Sequence, residues 1–126
     1  MERQHILTQA EWQIMELLWQ QPHTLMELLA KLSATVGWTK STVATMVRRM
    51  EAKGIISYDM DNRTKIFKPA LGREDAALQE THSLLHRAYQ DSIGLMVGTL
   101  ARQDGLTKTD IEELYAILKE AEEHAK

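Results

Sequence analysis

Small hydroxyl groups and guanidinium groups are concentrated between Thr39 and Gly54 of this 126-residue chain. A hydroxyl group donates one hydrogen bond, whereas a guanidinium group can donate two parallel hydrogen bonds to the edge of a guanine or to a phosphate. The sequence has no nucleophile elbow, phosphate loop or paired carboxylates that would turn such groups to catalysis. We therefore expect a non-enzymatic protein that contacts nucleic acid through Lys40, Ser41, Thr42, Thr45, Arg48 and Arg49.

These polar residues are predicted to share one face of a helix. Thr39 is a favourable N-cap and Gly54 a favourable left-handed C-cap, which predicts a helix from Lys40 to Lys53. Four apolar residues recur at helical spacing on the other side and predict its buried stripe, namely Val43, Met46, Val47 and Met50. The alternative for the polar face is an ordinary solvated surface.

The distribution of charge supports contact with a phosphate backbone. The whole chain carries a net charge of −3, but residues 40–68 contain seven basic and three acidic side chains, a net +4. Residues 71–126 contain six basic and eleven acidic side chains, a net −5. A local basic patch is what a phosphate-backbone binder requires, whatever the total charge.

Two more helices precede this one. Thr8 and Glu11 have the spacing of a capping box, so a first helix is predicted to begin there, and Pro22 is expected to end it near Gln20. Thr24 and Glu27 repeat the spacing before a second apolar helical pattern. Residues 23–25 fit a short strand equally well.

A β-hairpin is predicted to follow the third helix. Apolar and polar residues alternate over 56–60, residues 61–63 favour a turn, and residues 64–68 form the returning strand. Three helices followed by a hairpin predict a mainly α fold, the winged helix-turn-helix. Arg63 and Lys65 near the hairpin tip are expected to contact DNA beside the groove, although charges at such a tip also prevent strand association.

The remaining residues predict a dimerisation region. A long helix over 72–102 and a last helix that starts at Thr107 each carry an apolar stripe, and two helices cannot enclose a core. A second copy of the same segment is the simplest partner. We expect a DNA-binding domain over 1–70, a dimerisation domain over 71–126, and a homodimer formed by Leu85, Tyr89, Ile93, Met96, Leu100, Ile111, Leu114 and Leu118.

Several classes of site are excluded or disfavoured. The absence of cysteine excludes disulfides and thiolate metal sites, and no apolar run is long enough to cross a bilayer, so a cytoplasmic protein without cofactor or metal is expected. His82 and His86 lie four residues apart, a spacing that can bind metal, but no third ligand accompanies them. They are interpreted as surface residues, with an inter-subunit zinc site as the alternative.

Residues 7–15 and 37–54 together resemble the penicillinase-repressor family (BlaI/MecI type). The matching patterns are Thr-Gln-Ala-Glu-Trp near the amino terminus and Trp38-x-x-x-Thr42-Val-x-Thr-Met-Val-x-Arg-Met-x-x-Lys-Gly further on. The resemblance implies a bacterial transcriptional repressor that binds inverted-repeat operators with TACA/TGTA-like cores as a dimer. It places Thr42, Thr45 and Arg49 on the DNA.

The resemblance also implies a route of induction. In characterised relatives a membrane sensor that responds to β-lactams triggers cleavage of an Asn-Phe bond late in the long helix, and the matching positions here are Thr99 and Leu100. Control by a small ligand or metal is the alternative. A winged-helix module that binds protein instead of DNA would need an acidic or apolar third helix, which this sequence lacks.

Overall fold

The computed structural model describes residues 6–103 and 105–125, and the predicted halves therefore extend beyond it at residues 1–5 and 126. The described residues form six helices and three short strands, which confirms the mainly α, winged helix-turn-helix prediction. In chain order they are α1 (Gln9–Gln20), β1 (His23–Thr24), α2 (Leu25–Val36), α3 (Lys40–Lys53), β2 (Ile56–Asp61), β3 (Thr64–Pro69), α4 (Arg73–Tyr89), α5 (Ile93–Gln103) and α6 (Lys108–Glu123).

Capping boxes fix where the first two helices begin. The Thr8 hydroxyl accepts from the Glu11 amide at 3.1 Å, and the Glu11 carboxylate accepts from the Thr8 amide at 2.9 Å. The same reciprocal bonds join Thr24 and Glu27. Because Thr24 both ends β1 and caps α2, the two alternatives for residues 23–25 occur together.

The three strands form one antiparallel sheet in the order β1-β3-β2. Asp61 pairs with Thr64, so only Asn62 and Arg63 remain to form the hairpin turn. Both turn residues have positive φ, 52° and 78°, as a tight hairpin of this hand requires. Arg63 therefore occupies a left-handed conformation that costs most residues about 1–2 kcal/mol.

A single apolar core holds the helices of the amino-terminal part to the sheet. It draws on α1, α2, α3 and both long strands, so that each contributes at least one side chain almost fully excluded from solvent. The core residues with the largest fully buried side chains include Ile14, Met15, Leu18, Leu28, Leu32, Val43, Met50 and Ile55. The apolar stripe of α3 thus faces inward, which leaves the opposite side of that helix free.

The start of α4 is attached to α1. The indole nitrogen of Trp19 donates a hydrogen bond to the carbonyl of Leu71 at 2.9 Å. The Arg73 guanidinium lies 5.7 Å from the centre of the Trp19 ring and 3.1 Å from the Glu16 carboxylate. These contacts fix the direction in which the chain leaves the sheet.

The helix predicted over 72–102 is divided in two, so three helices follow the wing instead of two. Gln90 and Asp91 both have positive φ, 52° and 63°, which is incompatible with a continuous right-handed helix. The Ser92 hydroxyl then caps α5 by accepting from the Leu95 amide at 3.0 Å. Gly94 and Gly98 lie inside α5 and do not mark the break.

The chain divides into two compact units, with the division after Ser83, inside α4. In the second unit no described residue, from Leu84 to Gln103 and from Gly105 to Ala125, is buried. The functional boundary predicted between residues 70 and 71 stays a prediction. No helix among the described residues combines the length and apolar character needed to cross a membrane.

Candidate nucleic-acid interface

The two faces of α3 differ in exposure. Val43, Val47 and Met50 are buried in the core, and Met46 packs against it. The residues predicted to contact DNA lie on the other side. Thr45 is half-buried, and the rest are exposed, namely Lys40, Ser41, Thr42, Arg48 and Arg49.

The first turn of α3 is held by its cap. The Thr39 hydroxyl accepts a hydrogen bond from the Thr42 amide at 3.3 Å and lies 3.2 Å from the Thr42 hydroxyl. With its hydroxyl engaged in this way, Thr42 has a methyl group left for apolar contact, such as contact with a thymine methyl.

Several basic groups of this surface have no acidic partner. Within residues 6–103 and 105–125, none of Lys40, Arg48, Arg49 and Arg63 forms an ion pair. Arg63 lies at the exposed tip of the wing, which we define as β2, the turn and β3. Unpaired guanidinium groups keep all their hydrogen-bond donors available for a ligand with negative charge.

The last turn of α3 is anchored to α1 by a short ion pair. The Lys53 ammonium donates to the Glu11 carboxylate at 2.6 Å, and Glu11 is only 3% exposed although it also completes the capping box. Burial by itself raises the pKa of the Glu11 carboxyl, but hydrogen bonds from Lys53 and from the Thr8 amide lower it below the usual 4.5. Sequence reasoning identified the cap and missed the pair, because 42 residues separate the partners.

Lys65 differs from the other basic residues of this surface. Its ammonium lies 4.2 Å from the centre of the Tyr58 ring and 4.0 Å from the Glu51 carboxylate. Lys68, on the same strand, pairs with Asp59 at 3.0 Å. The wing therefore carries one unpaired cation at its tip and paired cations along β3.

The two histidines of α4 do not come together with a third ligand. Among the described residues no group of three or more His, Asp or Glu side chains could hold a metal ion. Nδ1 of His86 lies 3.2 Å from the Asp91 carboxylate, across the break between α4 and α5. An inter-subunit zinc site at His82 and His86 stays an untested alternative.

The residues predicted for dimerisation contribute to an apolar surface on the second unit. Leu85, Tyr89, Met96 and Leu114 are half-buried, whereas Ile93, Leu100, Ile111 and Leu118 are 40–63% exposed. Leu100 and Leu114 line a groove of about 340 Å³ together with three apolar residues that were not predicted, Val97, Leu106 and Ile117. Helical spacing in α6 could have found Ile117. Ile111 and Leu118 line a second hollow with Tyr115.

Comparison with known proteins identifies the family. The family model described as "Penicillinase repressor" matches residues 7–120. The chain belongs to the penicillinase repressor family. It is 30% identical over 115 residues to the penicillinase repressor of Bacillus licheniformis, covering 90% of each chain, and 21% identical over 113 residues to the methicillin resistance regulatory protein MecI of Staphylococcus aureus, covering 89% and 92%.

Solved structures of the penicillinase repressor family agree with the fold. The DNA-binding domain of the repressor BlaI matches with a TM-score of 0.53 at 25% identity, over 60% of this chain and 93% of that domain. The monomeric form of Bacillus licheniformis BlaI, solved in complex with the blaP half-operator, matches with a TM-score of 0.52 at the same identity and coverage. Repressors of this family are DNA-binding regulators, which is consistent with the non-enzymatic prediction.

Proposed function

We propose that this chain is a transcriptional repressor that binds an inverted-repeat operator as a homodimer. The observation that carries the proposal is the exposed face of α3, whose hydroxyl and guanidinium groups are opposite a stripe buried in the core. Family membership and the half-operator complex of a relative with the same domain fold support DNA as the ligand. Repression would follow from occupying a promoter.

In this proposal α3 enters the major groove. A helix fits that groove, and the short side chains of Ser41, Thr42 and Thr45 allow its backbone to approach the base edges. Arg49 makes the base contact and Lys40 and Arg48 neutralise phosphates, which fixes the register of the helix on the duplex. Arg63 extends from the wing tip to the neighbouring backbone or minor groove.

The apolar surface of the second unit is the proposed dimer interface. Side chains as apolar as Ile93 and Leu118 are more than 60% exposed in one chain, and exposed apolar surface of this kind is typical of an interaction site. A second copy offers the same patch, as a two-fold interface requires. Two chains related in this way would place two copies of α3 on half-sites separated by whole turns of about 10 bp.

Release from the operator has two candidate routes, cleavage through a membrane sensor pathway or binding of a small ligand. Cleavage between Thr99 and Leu100 would cut α5 and detach α6, so it would destroy the proposed interface. The bond lies in a helical segment in which the Thr99 hydroxyl donates to the Leu95 carbonyl at 2.8 Å. A protease that needs an extended substrate would therefore have to unwind α5 first.

The proposal is tested by selecting fragments of genomic DNA with the full chain. We expect enriched fragments that share an inverted repeat with half-sites one or two helical turns apart, bound by two chains in sedimentation experiments. The replacement Thr45→Asp, which puts a carboxylate on the proposed DNA face, is expected to abolish enrichment. Enrichment without symmetry, or binding that survives this replacement, would contradict the proposed mode.

A further inference from the structure

Lys65, whose side chain is 46% exposed, contacts an aromatic ring of the neighbouring strand. In the sheet register Lys65 pairs with Met60, and its ammonium extends diagonally to lie 4.2 Å from the centre of the Tyr58 ring. Tyr58 is itself placed by Phe67, whose ring it meets edge-to-face at 6.1 Å between centroids. Because Phe67 belongs to the core, this stack connects Lys65 to the apolar core of the domain.

The same ammonium faces α3. Glu51 is the one carboxylate in α3, and its Oε1 lies 4.0 Å from the Lys65 nitrogen. Glu51 is partly shielded, with 35% of its side chain exposed, and it lies two residues from Lys53, which binds Glu11 of α1. The last turn of α3 is therefore linked to the wing on one side and to α1 on the other.

A carboxylate near a DNA-binding face weakens DNA binding because it repels phosphate, so its presence there calls for a structural role. Glu51 lies on the helix that carries Arg48 and Arg49 and at the edge of their surface. Its contact with Lys65 gives it such a role, since it joins the wing to α3. If Lys65 moved to a phosphate, it would lose the Tyr58 ring and leave Glu51 unpaired, whereas Arg63 at the wing tip has no ion pair among the described residues to give up.

We propose that Lys65 is a positioning residue, which fixes the wing against α3 through Tyr58 and Glu51 so that Arg63 and the α3 face meet DNA together. This inference rests on the proposed function and replaces the direct DNA contact expected for Lys65 from the sequence. In this inference Lys65 and Arg63 have different roles in DNA binding. Arg63 neutralises a phosphate, whereas Lys65 sets the geometry in which Arg63 does so.

The salt dependence of binding separates the two roles. The full chain is titrated with a duplex that the wild type has selected, over a range of salt concentrations. The replacement Arg63→Gln is expected to lower the magnitude of the slope of log K against log salt by about 0.9 for each bound chain. The replacement Lys65→Gln is expected to weaken binding roughly fivefold with the slope unchanged, and Lys65→Arg to restore affinity because a guanidinium also pairs with Glu51 and stacks on Tyr58.

Glu51 provides a test of opposite sign. If Glu51 acted only by repelling phosphate, Glu51→Gln would tighten binding to every duplex. If Glu51 helps to position the wing, Glu51→Gln is expected to weaken binding to the selected duplex roughly threefold and to tighten binding only to random duplex. Adding Glu51→Gln to Lys65→Gln is expected to cause no further loss for the selected duplex. A reduced slope for Lys65→Gln, or tighter binding of the selected duplex by Glu51→Gln, would overturn the inference.

A measurement without DNA distinguishes failure of this inference from failure of the proposed function. In NMR spectra of the free protein, the ε-methylene protons of Lys65 should be shifted upfield by the Tyr58 ring, and Tyr58→Leu should remove the shift. Absence of the shift, with operator binding by the wild type intact, would overturn the inference alone. A wild type that selects no DNA would overturn the proposed function and this inference with it.

Discussion

The amino-terminal unit buries its apolar side chains within one chain, whereas the carboxy-terminal unit leaves them exposed. Ile14 and Leu28 have no measurable exposure, while Ile93 and Leu118 are 63% and 62% exposed. At about 25 cal/mol for each Å² of apolar surface removed from water, the first unit gains stability from its own fold. The second unit leaves apolar surface in water, and contact with another copy of the chain would bury that surface and add the corresponding stability.

The two units also differ in net charge. Residues 40–68, in the first unit, have a net charge of +4, whereas residues 84–126, which form the second unit, contain five basic and eight acidic side chains, a net −3. An acidic region is repelled by the phosphate backbone, so we expect DNA contact only at the basic surface around α3 and the wing. In the proposed function the first unit therefore binds DNA and the second binds another copy of the chain.

The largest expected effect tests whether the amino-terminal unit owes its stability to its buried core. Leu28→Ala removes a fully buried side chain and is expected to lower the free energy of unfolding by about 2–5 kcal/mol, measured by denaturant titration. Met26→Ala, at an exposed position of the same helix, should change it by less than about 0.5 kcal/mol. Equal effects of the two replacements on the free energy of unfolding would contradict the claim that the buried core stabilises the amino-terminal unit.

The next effect tests the exposed apolar surface. Leu114→Asp places a charge in the groove between α5 and α6, so the dimer should dissociate and operator affinity should fall by about a hundredfold or more, as the second half-site is lost. Sedimentation velocity and DNA titration measure the two results. Ala116→Asp puts the same charge on the opposite side of α6 and should leave the dimer intact. A Leu114→Asp variant that stays dimeric would place the interface elsewhere.

A smaller effect is expected at the DNA-binding face. Arg49→Ala should weaken binding to the selected duplex by about 1–3 kcal/mol and relax preference at one base position, because a guanidinium pairs with guanine through two hydrogen bonds. Lys119→Ala removes a positive charge from exposed α6 and serves as the control. An unchanged affinity for Arg49→Ala in a gel-shift titration would remove Arg49 from the interface.

Acid should destabilise the amino-terminal unit partly through Glu11. Its pKa is lowered below 4.5 in the folded chain, so its stabilising contribution is complete above that pH and is lost as the pH falls through the folded value. The stability difference between wild type and Glu11→Gln, about 1 kcal/mol at neutral pH, should therefore shrink in acid. The pKa of the Glu27 carboxyl is also lowered, chiefly by the hydrogen bond from the Thr24 amide, but Glu27 has no ion pair among the described residues, so Glu27→Gln measures the pH dependence of a capping box without one. A difference that stays constant with pH would contradict the role of the ion pair.

The smallest effect concerns the hairpin turn. Arg63→Gly relieves the left-handed conformation and should raise the free energy of unfolding by about 0.5 kcal/mol while it weakens DNA binding. Asn62→Gly changes the other turn residue without loss of charge and should leave DNA affinity unchanged. If both variants bind DNA equally well, Arg63 does not contact the duplex.

The sequence predicted the local features of the fold well. Thr8 with Glu11, Thr39 and Gly54 mark helix ends through hydrogen bonds between near neighbours, so their effect is visible in a short stretch of sequence. The break at Gln90 and Asp91 was missed because neither residue is a glycine, and nothing in their types demands a positive φ.

The candidate site was predicted in part for the same physical reason. The polar face of α3 follows from helical spacing, which a sequence displays directly. The engagement of Lys65 by Tyr58 and Glu51 depends on strand register and on how the wing packs against α3, both of which are set by the tertiary fold. The dimer interface and the DNA contacts need a second molecule, so for them the residues named from the sequence stay predictions.

All three tryptophans, Trp12, Trp19 and Trp38, lie in the amino-terminal unit, and the rings of Trp12 and Trp19 meet edge-to-face at 5.5 Å. Intrinsic fluorescence excited at the red edge of protein absorption therefore reports on that unit alone, whereas the three tyrosines are divided, with Tyr58 in the amino-terminal unit and Tyr89 and Tyr115 in the other. The protein thus carries an optical label for its amino-terminal unit, and the unfolding of that unit can be followed within the full chain without any added dye.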